Sequence, residues 1–224
     1  MNKNCRQAKP VSDIPTPIDD NFYTKVVLNF PTNLFYRGQQ LAALQVALAI
    51  EKKIEDNPNQ LLGLAAFYLG IERANEARML AESAIALAPE MPEAYQTLGL
   101  AQRLNFELEE SEKAYTKALE LAPESVISKR SLAEIKRAVG KPDEAVALYR
   151  QIIEKDANDI QASNGLILSL FDTENRVDAE ELLGKSLEAN PNNLFLLVGT
   201  AYWYAGQKNG AKAVELAQKA VQTE

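Results

Sequence analysis

Apolar and small residues recur along this chain at two distances. Over short stretches the spacing is that of an α-helix: Leu98, Ala101 and Leu104 share one face, as do Ala114, Ala118 and Leu121. Over long stretches the distance is 34 residues. Ala77, Ser111, Ala145, Ala179 and Ala213 stand in one such register, and Ala84, Ala118, Ile152, Ser186 and Ala220 in a second. A pair of apolar or small residues precedes each: Leu64-Ala65, Leu98-Gly99, Leu132-Ala133, Leu166-Ile167 and Thr200-Ala201. Pro89, Pro123, Ala157 and Pro191 fall near the end of each unit. Shared registers of this kind predict a repeat made of two amphipathic helices. Small residues where the helices cross let the axes approach toward the short end of the usual range of roughly 8–10 Å. Proline stops the second helix and resets the chain direction. One such hairpin cannot bury its apolar face alone, so neighbours stack.

The registers predict five units, 58–91, 92–125, 126–159, 160–193 and 194–224. Upstream, Ala43, Ala47 and Ile50 continue the second-helix register one period earlier. Gly38 to Asp56 therefore reads as a degenerate half-repeat or capping helix, within a segment 21–57 that is otherwise irregular. Pro31 interrupts the expected partner helix, which leaves 21–37 irregular or as a short helix. Residues 1–20 hold Pro10, Pro15 and Pro17 and little apolar content, and read as a flexible tail. The last unit stops one residue short of its closing proline position. Two readings stand: the sequence is a piece of a longer protein, or Lys212, Glu215, Lys219 and Gln222 give the last helix a polar, capping face.

The unit from Pro92 to Ser125, PEAYQTLGLAQRLNFELEESEKAYTKALELAPES, carries Tyr95, Leu98-Gly99, Tyr115, Ala118 and Pro123. In that spacing it resembles the tetratricopeptide repeat family, and the resemblance covers about residues 58–224. It implies an all-α fold, a right-handed superhelical solenoid of 34-residue helix–turn–helix repeats. It also implies a non-catalytic scaffold, with a peptide or protein partner bound in a concave groove lined by the first helix of each unit.

On that implied placement the groove changes character along its length. Leu62 and Leu69 open it, and Leu100 and Arg103 follow. Arg130, Glu134 and Arg137 form its centre, at i, i+4 and i+7 on one helix face. Asn164, Leu168, Phe171, Phe195, Val198 and Tyr202 close it. The central helix belongs to VISKRSLAEIKRAV, a basic stretch in an otherwise acidic chain. The planar arginine fork suits a carboxylate, so the centre predicts a grip on an acidic partner segment, flanked by apolar rims. The competing reading is a surface ion-pair ladder in which Arg130 and Arg137 bracket Glu134. Lys129 and Lys136 occupy sites where the family prefers apolar or aromatic residues, which predicts a looser helix or a rotated face. Paired acids at Glu109-Glu110, Asp143-Glu144 and Glu180-Glu181 read as first-turn residues that favour the helix dipole. The side chains used by chaperone-tail binders are missing in either register (Leu62, Ala66, Thr97, Ile127, Ser131, or Gln96, Leu100, Ser131, Gln161, Gly165). A groove asparagine ladder is missing too, at Gly63, Thr97, Ser131, Gly165 and Gly199.

Composition narrows the chemistry. Lys and Arg number 24 against 31 Asp and Glu, a net charge of −7, and the pI is about 4.9. That balance argues against nucleic acid as a partner. The absence of histidine removes His-based triads and ligands, and a single cysteine, Cys5, builds neither a disulfide nor a zinc site. Cys5 reads as an unreactive tail residue or as a lipid-anchor site of a trimmed parent. No apolar run reaches the ~18 residues of a membrane span. The sequence thus predicts no enzyme, no cofactor and no metal. Localisation stays open. Two alternatives stand beside the groove reading: the repeat domain recruits substrates for a longer enzyme, or the chain self-associates into a homo-oligomer through its last helix.

Overall fold

The computed structural model describes residues 29–54 and 56–222. Residues 1–20 with Cys5, and the start of the 21–57 segment, lie outside the described residues. The described residues form twelve α-helices and no strand. These are α1 (Asn29–Tyr36), α2 (Gln40–Glu51), α3 (Pro58–Gly70), α4 (Ala74–Leu87), α5 (Pro92–Leu104) and α6 (Leu108–Leu121), followed by α7 (Val126–Ala138), α8 (Pro142–Lys155), α9 (Ile160–Asp172), α10 (Arg176–Ala189), α11 (Leu194–Gly206) and α12 (Gly210–Val221). From Pro58 onward the odd-numbered helices start at 34-residue intervals. Pro31 does not break α1, because it sits in the first turn, where its missing N–H has no helical partner. The helix expected from Gly38 to Asp56 ends at Glu51, where Lys53 and Ile54 fold their N–H groups back onto the Ile50 carbonyl.

Local chemistry sets the ends of each pair. Asn57, Ser125, Asp159 and Asn193 cap α3, α7, α9 and α11, each accepting from the backbone N–H three residues on. Pro58 and Pro92 occupy the first helical turn of α3 and α5. Three residues join the helices within a pair, and the middle one has positive φ at each turn: Gly38, Glu72, Phe106, Gly140, Glu174 and Lys208. The third residue then donates its N–H to the carbonyl five residues back, as Arg73 to Tyr68, Glu107 to Gln102 and Lys141 to Lys136. That is the Schellman closure of a helix C-terminus. Glu109-Glu110 and Asp143-Glu144 do lie in first turns. Glu180-Glu181 come one turn later in α10, and Glu180 instead accepts from the Tyr204 hydroxyl at 2.8 Å.

The chain packs as two compact units, divided after Glu107. The core of the first runs from Ala43 to Ala101 and centres on Leu64, Ala65, Tyr68, Ala77 and Ala84, which are all buried. Tyr68 donates to Glu51 at 3.2 Å. Burial, and then that carboxylate, push its ionisation up to about 12.

The core of the second unit runs from Ala133 to Ala220, around Tyr149, Ile152, Ile167, Leu197 and Trp203. Here α7 keeps its expected face: Leu132, Ala133 and Ile135 are buried, so the basic residues do not rotate it. Lys129 is itself only 8% exposed. Lys136 reaches Glu112 of α6 at 2.7 Å and Glu144 of α8 at 2.5 Å. Its hydrogen bond holds the Glu112 carboxyl below the usual carboxylate range against the opposing effect of burial, and Lys141 adds to the effect.

Candidate functional site

The residues expected to line a groove fall in both units. Leu62 and Leu69 on α3 and Leu100 and Arg103 on α5 lie half-buried in the first unit, and the others lie on α7, α9 and α11 in the second. Within the second unit one face of these three helices stays largely open. It presents Ile127, Arg130, Glu134 and Arg137 from α7, Gln161, Asn164 and Leu168 from α9, and Phe195, Val198 and Tyr202 from α11.

The two central arginines already hold acids of this chain. Arg130 Nη2 reaches Asp159 Oδ2 at 2.5 Å, and Nη1 donates to Gln161. Asp159 uses its other oxygen to cap α9 at the Ala162 N–H, 2.9 Å away. Arg137 Nε donates to Asp172 Oδ2, on the last residue of α9. The arginines therefore tie α7 to both ends of α9. Their ion pairs run across to the next helix pair, which the ladder on Glu134 did not foresee. Beneath them lies the Tyr149 ring, only 2% exposed. Burial, and next the nearby Glu134 carboxylate, push its hydroxyl ionisation far up.

Phe171 departs from its expected place on the open face. It is 3% exposed and stacks on Trp203, with ring centroids 3.9 Å apart and planes at 17°. It stands at the last turn of α9, and the flat indole offers it more contact than water does. Arg176 lies over the same indole, 5.5 Å from the centre of the Trp203 ring. Tyr202 points away from this packing and is 83% exposed, with Phe195 at 61% and Val198 at 51%. These three stand at i, i+3 and i+7, one uncovered apolar stripe of α11. Sequence reasoning took Gly199 only as a position without a ladder asparagine; in the structure it lets the Asn164 carboxamide lie against α11. The same reasoning passed over Asp159 and Asp172. Both lie about one repeat beyond the arginines they hold, and a search for acids at that distance finds them.

Among the described residues no helix is long and apolar enough to cross a membrane. The family model described as tetratricopeptide repeat matches residues 92–125. Superkiller complex protein 3 of Homo sapiens is 33% identical over 100 residues, which is 45% of this chain and 6% of that protein. The chain thus spans less than a tenth of that relative's length. A solved tetratricopeptide repeat protein from Parabacteroides merdae superposes with a TM-score of 0.71 at 19% identity, covering 91% of this chain and 80% of its own. YrrB, described as a tetratricopeptide protein with an unusual peptide-binding site, superposes at 0.60 and 17% identity, covering 80% and 92%. The family model falls on α5 and α6, and helix pairs of the same 34-residue period lie on either side of it, which gives the described residues the fold of tetratricopeptide repeat proteins.

Proposed function

We propose that the chain is a non-catalytic scaffold that captures a peptide segment of a protein partner on the open face of α7, α9 and α11. The fold is commonly a protein–protein interaction scaffold. The observation that carries the reading is the stripe of Phe195, Val198 and Tyr202, exposed on a helix whose opposite face is core. Large apolar side chains lined up in this way are characteristic of interaction surfaces. Leu168 and Asn164 extend the stripe onto α9, and Arg130, Glu134 and Arg137 give it a polar border. A partner carboxylate that used the arginines would have to displace Asp159 and Asp172. Leu100 and Arg103 of the first unit belong to the proposed set through sequence register. Truncating a central aromatic anchor costs roughly 2 kcal/mol or more of binding, well over tenfold in affinity. Affinity capture from a native lysate tests the reading, with wild type and Tyr202→Glu compared side by side. A partner held by the first and lost by the second, at equal helicity, is expected. The same proteins recovered with both would sink it.

A second reading rests on α12, where Val214 and Val221 are 54% and 75% exposed and lie seven residues apart on one face. In that reading the chain pairs with a second copy through this helix. Light scattering that gives the monomer mass, 24.7 kDa, at all concentrations rejects it.

A further inference from the structure

The fourth place of each first helix, counted at the 34-residue period, holds Leu61, Tyr95, Lys129, Ser163 and Leu197. Ser163 is the smallest of the five, and it is only 8% exposed. The third place holds Ala94, Ser128 and Ala162 on α5, α7 and α9, all fully buried, but on α11 it holds Leu196, which is buried too. A large side chain at that place keeps helix axes apart. Accordingly α4 lies close along α5, α6 along α7 and α8 along α9, whereas α10 meets α11 at only a few positions. A large residue at one place and a small one at the next leave a hollow of about 250 Å³. Ile153, Ile160, Leu182 and Leu196 line it, with Ser163 among them. Among the described residues nothing hydrogen-bonds the Ser163 hydroxyl. Lys185, exposed on α10, is the one ionisable side chain of the lining.

Size and charge choose the occupant. The hollow exceeds the ~150 Å³ cavity that takes benzene and falls just short of the roughly 300 Å³ at which pockets for drug-sized ligands begin. It suits a ring, or a short branched chain, with one head group. No acidic side chain lines it, so a cationic head group finds no counter-charge in the lining and loses its hydration. Lys185 is held by Glu181 at 2.6 Å, one helical turn back, in a pair whose two side chains are both more than half exposed. Such pairs are weak and give way to a better partner. A carboxylate only accepts, and the Lys185 ammonium and the Ser163 hydroxyl both donate. We propose that the hollow between α10 and α11 is a small-molecule site for a carboxylate with an apolar body. The body rests against Ile153, Ile160 and Leu196, and the head group draws Lys185 away from Glu181. The site is separate from the stripe of Phe195, Val198 and Tyr202 and does not depend on the groove reading.

Three probes with one body and different head groups test it: phenylpropionate, phenylpropanol and phenylpropylammonium. Each is titrated into the full chain and followed by amide NMR. The expected result is saturable binding of the carboxylate, with the largest shifts at Ser163, Ser186 and Leu196. The carboxylate should bind about three- to fivefold tighter than the alcohol, the most that an exposed ion pair supplies, and the ammonium weakest of all. Lys185→Gln should bring the carboxylate down to the alcohol and leave the alcohol unchanged. Ser163→Leu restores the residue of Leu61 and Leu197, so it should fill the hollow, abolish binding of all three probes and raise the thermal midpoint of the free protein. Lys185 is exposed, so its variant keeps the test open even if Ser163→Leu folds poorly. Tyr202→Glu, the groove variant, should bind the probes as wild type does, which keeps the two readings apart. No saturable binding of any probe at millimolar concentration overturns the proposal. So does binding that survives Ser163→Leu, or a wild type that takes the alcohol or the ammonium as well as the carboxylate.

Discussion

Gly165 shows how one residue sets the distance between two layers of the second unit. A Cβ there would lie 2.3 Å from Tyr149 Cζ and 2.6 Å from its hydroxyl. The ring cannot step aside, because it is buried among Ala133, Ile152 and Leu166. Gly165→Ala is therefore expected to cost about 1–3 kcal/mol, the usual range for overpacking, even though alanine is the better helix former. Urea denaturation measures it. In a cycle with Tyr149→Leu, which frees the space, the two changes together should cost clearly less than their sum. Additive costs would mean that the ring and α9 are not in register. Gly199 faces the tip of Asn164, a softer neighbour, so the same change there should act more on binding than on folding.

At the scale of elements, the turn within each pair repeats one backbone conformation with four residue types, Gly, Glu, Phe and Lys, in its middle position. Gly38 and Gly140 take their positive φ of 78° and 76° without steric cost, and Glu72, Phe106, Glu174 and Lys208 hold values near 60°. Left-handed conformation costs an L-residue roughly 1–2 kcal/mol, so Gly140→Ala is expected to destabilise by about 1 kcal/mol. Gly184 is the control. It lies inside α10 with nothing within 4 Å of an added Cβ, and Gly184→Ala should stabilise by about 1 kcal/mol on helix propensity alone. Thermal melts of both variants check the pair, and shifts of the same sign would contradict the assignment. The contrast also explains what could be read in advance. The helix pairs were legible because Ala77, Ala145 and Ala179 must be small wherever helices cross, and that need falls on side chains at a fixed period. The turn position was hidden, because hydrogen bonds of the backbone fix its conformation and tolerate Glu, Phe or Lys. The open face was legible where exposure follows from helix phase alone, as at Tyr202, Val198 and Glu134. It misled at Phe171, whose burial depends on a flat partner from another helix. It was silent on Asp159 and Asp172, since ion pairs between successive pairs of helices leave no local spacing to notice.

For the whole chain, the separation of its buried residues into two cores bears on how it unfolds. Stacked repeats gain stability from each unit and its neighbours, so damage to one core need not be felt at full strength in the other. The sole tryptophan, Trp203, reports on the second core, where it is 7% exposed against Phe171. Leu64 and Leu166 occupy corresponding places in the two cores, and both are buried. Replacing either with alanine should cost about 2–5 kcal/mol locally. Leu166→Ala is expected to lower the urea midpoint of Trp203 fluorescence. Leu64→Ala should lower the helicity midpoint by far-ultraviolet circular dichroism and move the Trp203 midpoint much less. Equal shifts of both signals in both variants would show that the chain melts as one block. The same pair of variants separates stability from binding. The proposed binding face lies on α7, α9 and α11, so Leu64→Ala, assayed below its transition, should capture the partner as wild type does. Leu166, by contrast, sits two residues from Asn164 on α9 and on its buried side, so its loss loosens that face and should weaken capture before the helices melt.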